Sequence, residues 1–280
     1  MERTSRRSIP ACPTLFTPLQ MHVREVLRAG TVSWVGWMRD HVISLQRMME
    51  EHRFAVVVAG ASVRFARSRL LHDGDTIDVD TTSSVHRKGV LIEGVSRFSS
   101  VGQEFARMNL YLRPVAIGDT ASAAARPSDL KPELHALFHQ AEVSAQTYPR
   151  EIKRLLPAIQ SEGTPVASGR HPFKLFRYAM DFADQWAFME TQAFTSASRE
   201  ELALAHAGAD ERLLQGLAMP VAEFHVELTR PYFVFDQGVV DTQAYAVNGT
   251  IFFVHRLLSE QRGEEQLHAT VIERMAATVH

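Results

Sequence analysis

The sequence contains one cysteine, Cys12, and no apolar run that approaches the ~20 residues of a membrane-spanning helix. An internal disulfide is therefore excluded, and we expect a cytoplasmic protein that does not enter a membrane. Excess charge is also lacking, since 30 Lys and Arg residues oppose 32 Asp and Glu residues. This balance provides no general attraction to nucleic acid or anionic lipid, so neither is predicted as a partner.

Several enzyme motifs are missing as well. The sequence has no GxGxxG, GxxxxGK(S/T) or GxSxG stretch, so a nucleotide-binding or serine-hydrolase function has no local support. The histidines of HALFH, His135 and His139, lack the Glu of the HExxH pattern and have no third ligand nearby. We therefore predict no metal site.

What the sequence does contain is an internal repeat. Three pairs of segments match: RSRLLHDGDTIDVD (67–80) with RPYFVFDQGVVDTQ (230–243), KGVLIEGVSRF (88–98) with NGTIFFVHRLL (248–258), and GQEFARMNLYL (102–112) with GEEQLHATVIERM (263–275). The Lys-Gly and Asn-Gly pairs that open the middle segments are typical of β-hairpins. Asp73 and Asp236 are predicted turn residues. The repeat predicts two similarly built domains.

The first copy shows the alternation of a half-buried strand. Ile77, Val79 and Thr81 alternate with Asp78 and Asp80. Because successive side chains of a strand point to opposite faces, the aliphatic residues should point inward and the two acids toward solvent. The acids are therefore interpreted as the wet face of an antiparallel strand rather than as an acidic binding loop.

An apolar helix precedes the strands in each copy. In the first copy, seven residues recur at helical spacing and predict one long buried helix from residue 34 to about 52: Trp34, Trp37, Met38, Val42, Leu45, Met48 and Met49. Residues 184–206 predict the second helix, which is either continuous or broken near 196–198 with a new helix from Arg199, because Ser and Thr prefer caps. Strand, long helix and about four antiparallel strands thus occur twice.

The residues between the two copies differ in composition. SDLKPELHALFHQAEV and REIKRLLPAIQ are predicted helices, and SEGTPVASGR is predicted as a flexible exit. We therefore divide the chain into an N-terminal domain (1–116), a partly helical connector (117–170) and a C-terminal domain (171–280).

A strand, a long apolar helix and a meander of strands wrapped around it resemble the hot-dog fold. QMHVREVLRAGTVSWVGWMRDH is similar to the opening of the 4-hydroxybenzoyl-CoA thioesterase-like branch, and RPYFVFDQGVV is similar to the strand and turn after the helix in those proteins. The tandem arrangement also resembles plant-type acyl-carrier-protein (ACP) thioesterases and double hot-dog enzymes of polyketide pathways. The resemblance implies an α+β fold of two tandem hot-dog domains, each an antiparallel sheet wrapped around a long central helix.

The resemblance implies a thioester substrate, acyl-CoA or acyl-ACP, hydrolysed with the help of a carboxylate where two hot-dog units pair. It implies no cofactor, because CoA or phosphopantetheine is part of the substrate. Other functions stay open: a dehydratase, an acyltransferase or decarboxylase of a polyketide or fatty-acid type pathway that recruits Tyr178 or Tyr232, and a non-catalytic acyl-binding protein. The HFP-type element of the dehydratases is missing, although four histidines keep that alternative open: His22, His171, His255 and His268. A homodimer of double hot-dog chains is a further alternative.

Candidate catalytic residues follow from the needs of thioester hydrolysis. The reaction requires a carboxylate and backbone donors for the oxyanion, and a helix N-terminus offers such donors. In MDFADQWAFME, Asp184 fits the acid that the family places before the helix, Glu190 fits an acid on the helix, and Asp181 lies close by. The matching turn of the first copy, VREVLRAG, has only Glu25, so the N-terminal half is predicted to be degenerate.

Further residues are predicted to contact the substrate. Those expected to hold the thioester, the acyl group or a water molecule are Gly30, Thr31, Val32, Trp34, Gln185, Trp186, Gln192 and Tyr232. Those expected to meet the phosphates of CoA or phosphopantetheine are Arg67, Arg69, Arg87 and Lys88.

Overall fold

The computed structural model describes residues 3–86, 89–118, 125–140, 151–206, 208, 210–261 and 264–276. The chain forms two compact units, of which the first is Met1–Phe16 with Glu25–Pro149 and the second is Thr17–Arg24 with Arg150–His280. The predicted connector is divided between them. Among the described residues, no helix combines the length and the apolar character that crossing a membrane requires.

The first unit is built from an antiparallel sheet and helices. Its main elements are β1 (Thr4–Pro10), α1 (Val23–His41, whose first two residues belong to the second unit), α2 (Leu45–His52), β2 (Phe54–Phe65), β3 (Thr76–His86), β4 (Leu91–Ser100) and β5 (Gln103–Ile117). The strands lie in the order β1-β3-β4-β5-β2. Three short elements follow: β6 (Ala125–Pro127), which pairs with β5, α3 (Pro132–His135), and β7 (His139–Gln140), which pairs with β3.

The second unit repeats this order. It consists of α4 (Glu151–Glu162), β8 (Thr164–Lys174), α5 (Thr191–Ala205), α6 (Glu211–Leu217), β9 (Val221–Leu228), β10 (Gln237–Val247), β11 (Thr250–Gln261) and β12 (Glu264–Met275). Its strands lie in the order β8-β10-β11-β12-β9, which matches the first unit strand for strand. The predicted duplication and the α+β class are therefore confirmed.

The repeat extends to single hydrogen bonds in the turns before β3 and β10. The Asp73 carboxylate accepts the N–H of Leu70 at 2.8 Å, and the Asp236 carboxylate accepts the N–H of Phe233 at 2.8 Å. Each Asp returns a backbone hydrogen bond to the carbonyl of the same residue, at 3.2 and 3.1 Å. Both are turn residues, as predicted.

The alternation predicted for β3 is also confirmed. Ile77, Val79 and Thr81 are fully buried, whereas Asp78 and Asp80 keep partial contact with solvent. Asp80 forms an ion pair with the exposed Arg6 of β1. The two acids therefore belong to the outer face of the sheet.

The predicted boundaries of the first central helix are wrong. This helix begins at Val23 rather than at residue 34, so the predicted turn VREVLRAG lies inside α1. It ends at His41, and the side chain of Ser44 caps a separate helix, α2, by accepting the N–H of Arg47 at 3.3 Å. The apolar stripe continues across this break, which is why its periodicity does not reveal the corner.

Of the two alternatives for the second central helix, the continuous one is confirmed. The helix runs uninterrupted over Thr191–Ala205, directly after one turn of 3₁₀ helix at Phe188–Glu190. The hydroxyl of Ser196 accepts from Gln192 and Arg199, and that of Ser198 contacts Thr242. These hydroxyls have side-chain partners, so they do not compete for the helix backbone as caps do.

Two predictions for the segment between the copies are wrong and one is confirmed. REIKRLLPAIQ forms α4, as predicted. Among the described residues of SDLKPELHALFHQAEV, only Pro132–His135 is helical. SEGTPVASGR, expected as a flexible exit, supplies most of β8. β8 is the last strand in the order of its unit. Such an edge strand tolerates proline and small residues because one side of its backbone needs no hydrogen-bond partner.

Glycine lets α1 approach the first sheet closely. A Cβ atom at Gly94 would lie 2.6 Å from Cδ1 of Trp34, and one at Gly30 would lie 2.3 Å from Sδ of Met108. The indole N–H of Trp34 donates to Ser83 at 3.1 Å. Trp34 is therefore a core residue of the first unit, positioned by the missing side chain opposite it.

Candidate functional site

The two central helices share one pattern of burial when Val23 is aligned with Phe188. The buried residues Val26, Gly30, Ser33, Trp34, Trp37 and Met38 correspond to Thr191, Thr195, Ser198, Arg199, Leu202 and Ala203, which are buried as well. The second helix thus carries polar side chains where the first is mostly apolar. Such side chains cost free energy to bury, so their place in the second unit is the first indication of a site there.

Glu190 lies at the start of the second central helix. It is the third residue of the helical segment that opens at Phe188, and it is 8% exposed. Arg24, which belongs to the same unit, donates to Oε1 of Glu190 from Nε at 3.1 Å and from Nη2 at 2.7 Å. The other carboxylate oxygen accepts no hydrogen bond from the described residues.

Donor groups adjoin Glu190 along the chain. The N–H groups of Phe188 and Met189 open the helical segment, and the first N–H groups of a helix have no acceptor within it. The hydroxyl of Thr191 is fully buried and has no hydrogen-bond partner in the part of the chain that the structure describes. A carboxylate, backbone donors and a hydroxyl therefore meet at one end of one helix.

The two aspartates before the helix have other surroundings. Asp181 accepts the N–H groups of Ala183 and Gln185 on one oxygen, at 2.8 and 3.2 Å, and so fixes a turn. Asp184 has a φ of 54°, in the left-handed region, and contacts the exposed Arg177 at 3.2 Å. Both aspartates are exposed.

Glu25 is the counterpart of Glu190 in the first unit. Arg28, one helical turn further on, contacts its Oε2 through Nε at 2.7 Å and Nη2 at 2.5 Å. Gly30, Thr31 and Val32, which were expected to contact the substrate, lie in the interior of α1, where each backbone N–H bonds to the preceding turn and is not a free donor. Val32 is an exposed residue, and Thr31 donates its hydroxyl to the carbonyl of Leu27.

The structure brings Trp186 and Tyr232 together in an aromatic cluster. The rings are 5.5 Å apart, and the backbone N–H of Trp186 donates to the carbonyl of Tyr232 at 3.0 Å. Phe173 and Phe194 complete the cluster with Trp186. The Tyr232 hydroxyl and the Trp186 indole N–H are buried without a partner among the described residues. Burial, aided by Asp236, raises the pKa of Tyr232, so its hydroxyl stays protonated as a donor.

The two predicted glutamines lie near this region. Gln185 forms an isolated bridge with Phe233, and Gln192 donates its side-chain amide to Ser196 at 2.7 Å. Gln192 is therefore engaged along its own helix, while Gln185 joins the loop before the helix to the loop before β10.

His268 was a candidate in the sequence only for the dehydratase alternative, but it lies against the aromatic cluster. It occupies a β-bulge in β12, and Phe105 occupies the corresponding bulge in β5. Its ring stacks on Tyr232 with centroids 3.6 Å apart. Nδ1 contacts the carbonyl of Pro231 at 3.0 Å and Nε2 contacts the hydroxyl of Ser259 at 2.7 Å. Because a carbonyl only accepts, Nδ1 carries the proton of a neutral ring, and burial, the largest cause, lowers the pKa of His268.

A buried ion pair lies beneath the second central helix. Arg199 donates to Glu273, which has no exposed surface, and Thr195 donates to the same carboxylate at 3.2 Å. Nε2 of His255 is 3.7 Å from this carboxylate, and its Nδ1 contacts Thr242 at 2.8 Å. Burial acts to raise the pKa of Glu273, but Arg199 and His255 outweigh it and hold that pKa well below its usual range.

The first unit has no such pair at the corresponding positions. The helix alignment and the strand registers match Arg199 with Trp34 and Glu273 with Leu110. Trp34 and Leu110 are both buried. The hot-dog framework thus accommodates either an apolar or an ionic core, and the sequence repeat alone does not indicate which half has changed.

Of the four predicted phosphate-binding residues, the structure describes Arg67 and Arg69, and their surroundings differ. Arg67 is exposed, but Arg69 is fully buried, donates to the carbonyl of Gly74 at 2.6 Å and lies 5.3 Å from the ring centre of Phe16. Neither arginine lies on a strand. Arg87 and Lys88 lie outside the described residues.

Comparison with known proteins identifies the fold. No family model and no curated protein sequence matches the chain. A provisionally named oleoyl thioesterase from Lactobacillus plantarum has a similar structure, with a TM-score of 0.72 and 10% identity over 100% of this chain and 98% of the other.

Two further structures agree with it. The 12:0-ACP thioesterase from Umbellularia californica gives a TM-score of 0.69 at 11% identity, covering 98% of this chain and 94% of that one. An acyl-ACP thioesterase from Bacteroides thetaiotaomicron gives 0.67 at 8% identity, covering 98% of both chains. The chain therefore has the double hot-dog fold, as its sequence predicted.

Proposed function

We propose that the protein is an acyl thioesterase that hydrolyses acyl-CoA or acyl-ACP thioesters with the help of a carboxylate in its second unit. The observation that carries the proposal is Glu190, a buried carboxylate at the N-terminus of the central helix with one oxygen held by Arg24. A thioester substrate is supported by the fold, since the similar structures include two named as acyl-ACP thioesterases. One of these is named for a 12:0 acyl group.

The chemistry requires one proton to move twice. Oε2 of Glu190 would take a proton from a water molecule as the water oxygen attacks the thioester carbonyl carbon. The carbonyl oxygen becomes an oxyanion, for which the opening N–H groups of the helix, from Phe188 and Met189, are suitable donors. When the carbon–sulfur bond breaks, Glu190 returns the proton to the departing sulfur. The products are a carboxylic acid and a free thiol.

Glu190 meets these needs better than the other candidate acids. Asp184 is exposed and ion-paired, and Asp181 uses one carboxylate oxygen to hold a turn. Glu25 occupies the same helical position in the first unit, but Arg28 contacts it within the helix. Only Glu190 combines burial, an oxygen without a hydrogen bond among the described residues, and a position beside free helix donors.

The aromatic cluster is the proposed site of the acyl group. Trp186 lies two residues before the helical segment that contains Glu190, and it packs against Tyr232. Aromatic side chains offer a large apolar surface for an acyl chain. Trp186 Nε1 and Tyr232 Oη, which have no partner among the described residues, would orient its carbonyl or a polar substituent.

The test is release of free thiol from a panel of acyl-CoA and acyl-ACP thioesters. We expect Glu190→Gln to reduce hydrolysis by roughly 10²–10⁴-fold, the usual contribution of a general base. Glu25→Gln is the matched control, because it removes the equivalent carboxylate of the first unit, and it should stay near the wild type. The thiol of Cys12 gives a constant background in all variants.

Several outcomes would contradict the proposal. If Glu190→Gln hydrolyses normally while Asp184→Asn or Asp181→Asn does not, the carboxylate belongs to the preceding loop. If no substrate releases thiol but the acyl group is changed, the dehydratase or decarboxylase alternative is correct. Thiol release with the acyl group on an acceptor, and no free carboxylic acid, would identify the acyltransferase. Binding of the thioesters without any reaction would identify an acyl-binding protein.

A further inference from the structure

Five aromatic side chains are exposed on two neighbouring loops of the second unit. They are Phe176, Tyr178, Phe182, Phe233 and Phe235, with exposed fractions between 47% and 87%. These fractions amount to roughly three complete aromatic side chains, or on the order of 600 Å², since one such side chain has ~200 Å². A monomeric protein rarely leaves that much apolar surface exposed unless it serves an interaction. We call these five residues the aromatic surface.

The backbone beneath the aromatic surface is fixed. The N–H of Phe235 donates to the carbonyl of Leu175 at 3.0 Å, and that of Val234 donates to the carbonyl of Asp184 at 3.3 Å. Phe235 itself has a φ of 71°, a left-handed conformation that is uncommon for a bulky residue. The surface is therefore preformed, and a partner would not need to order these loops on binding.

The first unit lacks this surface at the same positions. The paired turns and 3₁₀ helices match Phe176, Tyr178, Phe233 and Phe235 with Cys12, Thr14, Leu70 and His72. Because both loops keep the same backbone hydrogen bonds, the fold does not require aromatic residues there. The aromatic surface is thus a property of the second unit alone.

The charges around the aromatic surface favour a contact with itself. Lys174 lies 5.8 Å from the ring centre of Phe176, Arg177 contacts Asp184, and Asp181 is exposed. In a symmetric contact each patch meets its own copy, so a patch with both signs of charge can form pairs across the axis. A partner of one sign, such as an anionic membrane, would gain little from this mixture, and the net charge of −2 gives no wider attraction.

We propose that the aromatic surface is the contact of a symmetric homodimer. Two copies would together cover ~1,200 Å², which reaches the lower end of stable, specific interfaces. Aromatic residues in the middle with charged residues at the rim are the usual composition of such interfaces. The proposal concerns assembly and does not depend on the proposed hydrolysis.

The test is the mass of the full chain in solution, measured by sedimentation equilibrium across micromolar concentrations. We expect the wild type to have twice the chain mass of 31.4 kDa. Phe182→Glu should raise the dissociation constant by about 100-fold or more, since each lost ring counts twice in a symmetric contact. The combined replacement Tyr178→Thr, Phe233→Leu and Phe235→His introduces the residues of the first unit and should also dissociate the dimer.

The control is Leu70→Glu, which adds the same charge to the first unit at the position that corresponds to Phe233 and should leave the dimer intact. A wild type that stays monomeric at all concentrations would overturn the proposal, and so would a dimer that survives both sets of replacements. Equal dissociation by Leu70→Glu would also overturn it. If a monomeric wild type binds phosphatidylcholine vesicles and Phe182→Glu does not, the surface serves a lipid contact instead. Far-ultraviolet circular dichroism verifies that every variant is folded.

Discussion

Replacing Arg199 by Met should destabilise the second unit strongly. The change leaves the Glu273 carboxylate, which has no exposed surface, without the guanidinium that neutralises it. Removing one partner of a buried ion pair typically costs about 3–5 kcal/mol. For a chain of this size, 1 kcal/mol lowers the midpoint of thermal unfolding by about 2–4 °C, so the expected decrease is roughly 6–20 °C.

The informative comparison is the double variant Arg199→Met with Glu273→Leu. Leu is the residue that the first unit has at the corresponding position, Leu110, and it leaves no charge to be solvated. Replacing a whole buried pair with apolar residues is often neutral or stabilising by about 1–4 kcal/mol. The double variant should therefore unfold near the wild-type midpoint or above it, although it carries one more mutation than the single variant.

The assay is thermal unfolding followed by circular dichroism at neutral pH and in mild acid. In Arg199→Met, burial is opposed mainly by His255, so we expect the pKa of Glu273 to rise above its unfolded value and the cost of the carboxylate to shrink as the pH falls and the group becomes protonated. A double variant as unstable as the single one would refute the reasoning, because the loss would then come from packing. A pH-independent loss would refute it as well.

Three further predictions concern single residues. The hydrogen bond from His225, with that from Arg274, holds the pKa of Glu223 at about 2. The stability that Glu223 contributes should therefore be present above about pH 4.5 and lost as the pH falls toward 2. Glu223→Gln should flatten the plot of urea midpoint against pH in this range, and parallel plots for the variant and the wild type would count against the pairing of Glu223 with His225 and Arg274. Gly94→Ala should cost about 1–3 kcal/mol by displacing Trp34, whereas Gly36→Ala, with open space around it, should be neutral or stabilising in the same unfolding assay. Tyr232→Phe should leave the free energy of unfolding unchanged or raise it by up to about 1 kcal/mol, because it removes a buried hydroxyl that has no partner among the described residues. The variant should hydrolyse thioesters more slowly than the wild type. Hydrolysis at the wild-type rate would show that Tyr232 does not belong to the site.

The sequence predicts the strands of this protein better than its helix boundaries. Alternation in β3 and the turn residues Asp73 and Asp236 are local features, and each has one structural solution. The helix boundaries are less certain because an apolar stripe can continue across a corner, as it does between α1 and α2 at residues 42–44. The edge strand β8 was predicted as a flexible exit because proline and glycine are unfavourable in strands that pair on both sides. An edge strand pairs on one side only and can contain them.

The candidate site is predicted less completely than the fold. Trp186, Tyr232 and Glu190 could be named from their positions around the second helix. The partners that define their chemistry could not, because Arg24 is 166 residues from Glu190 and His268 is presented by a β-bulge. Contacts at such separations depend on strand register, which no local pattern specifies. For Arg69 the sequence predicted a functional residue that the structure does not support, since this arginine was expected to bind phosphate at the surface and is buried.

The different cores of the two units should give them different local stabilities. Helix α1 buries Trp34, Trp37 and Met38, whereas α5 has Arg199, Leu202 and Ala203 at the corresponding positions. Each large apolar side chain contributes about 1.5–3 kcal/mol when fully buried, and hydroxyls and ion pairs contribute much less. We therefore expect the backbone amides of α5 to exchange with deuterium at least tenfold faster than those of α1, measured by mass spectrometry on the intact protein. Equal exchange rates in the two helices would mean that burying the polar side chains of α5 costs no stability. The composition of α5 would then no longer indicate a function for this helix.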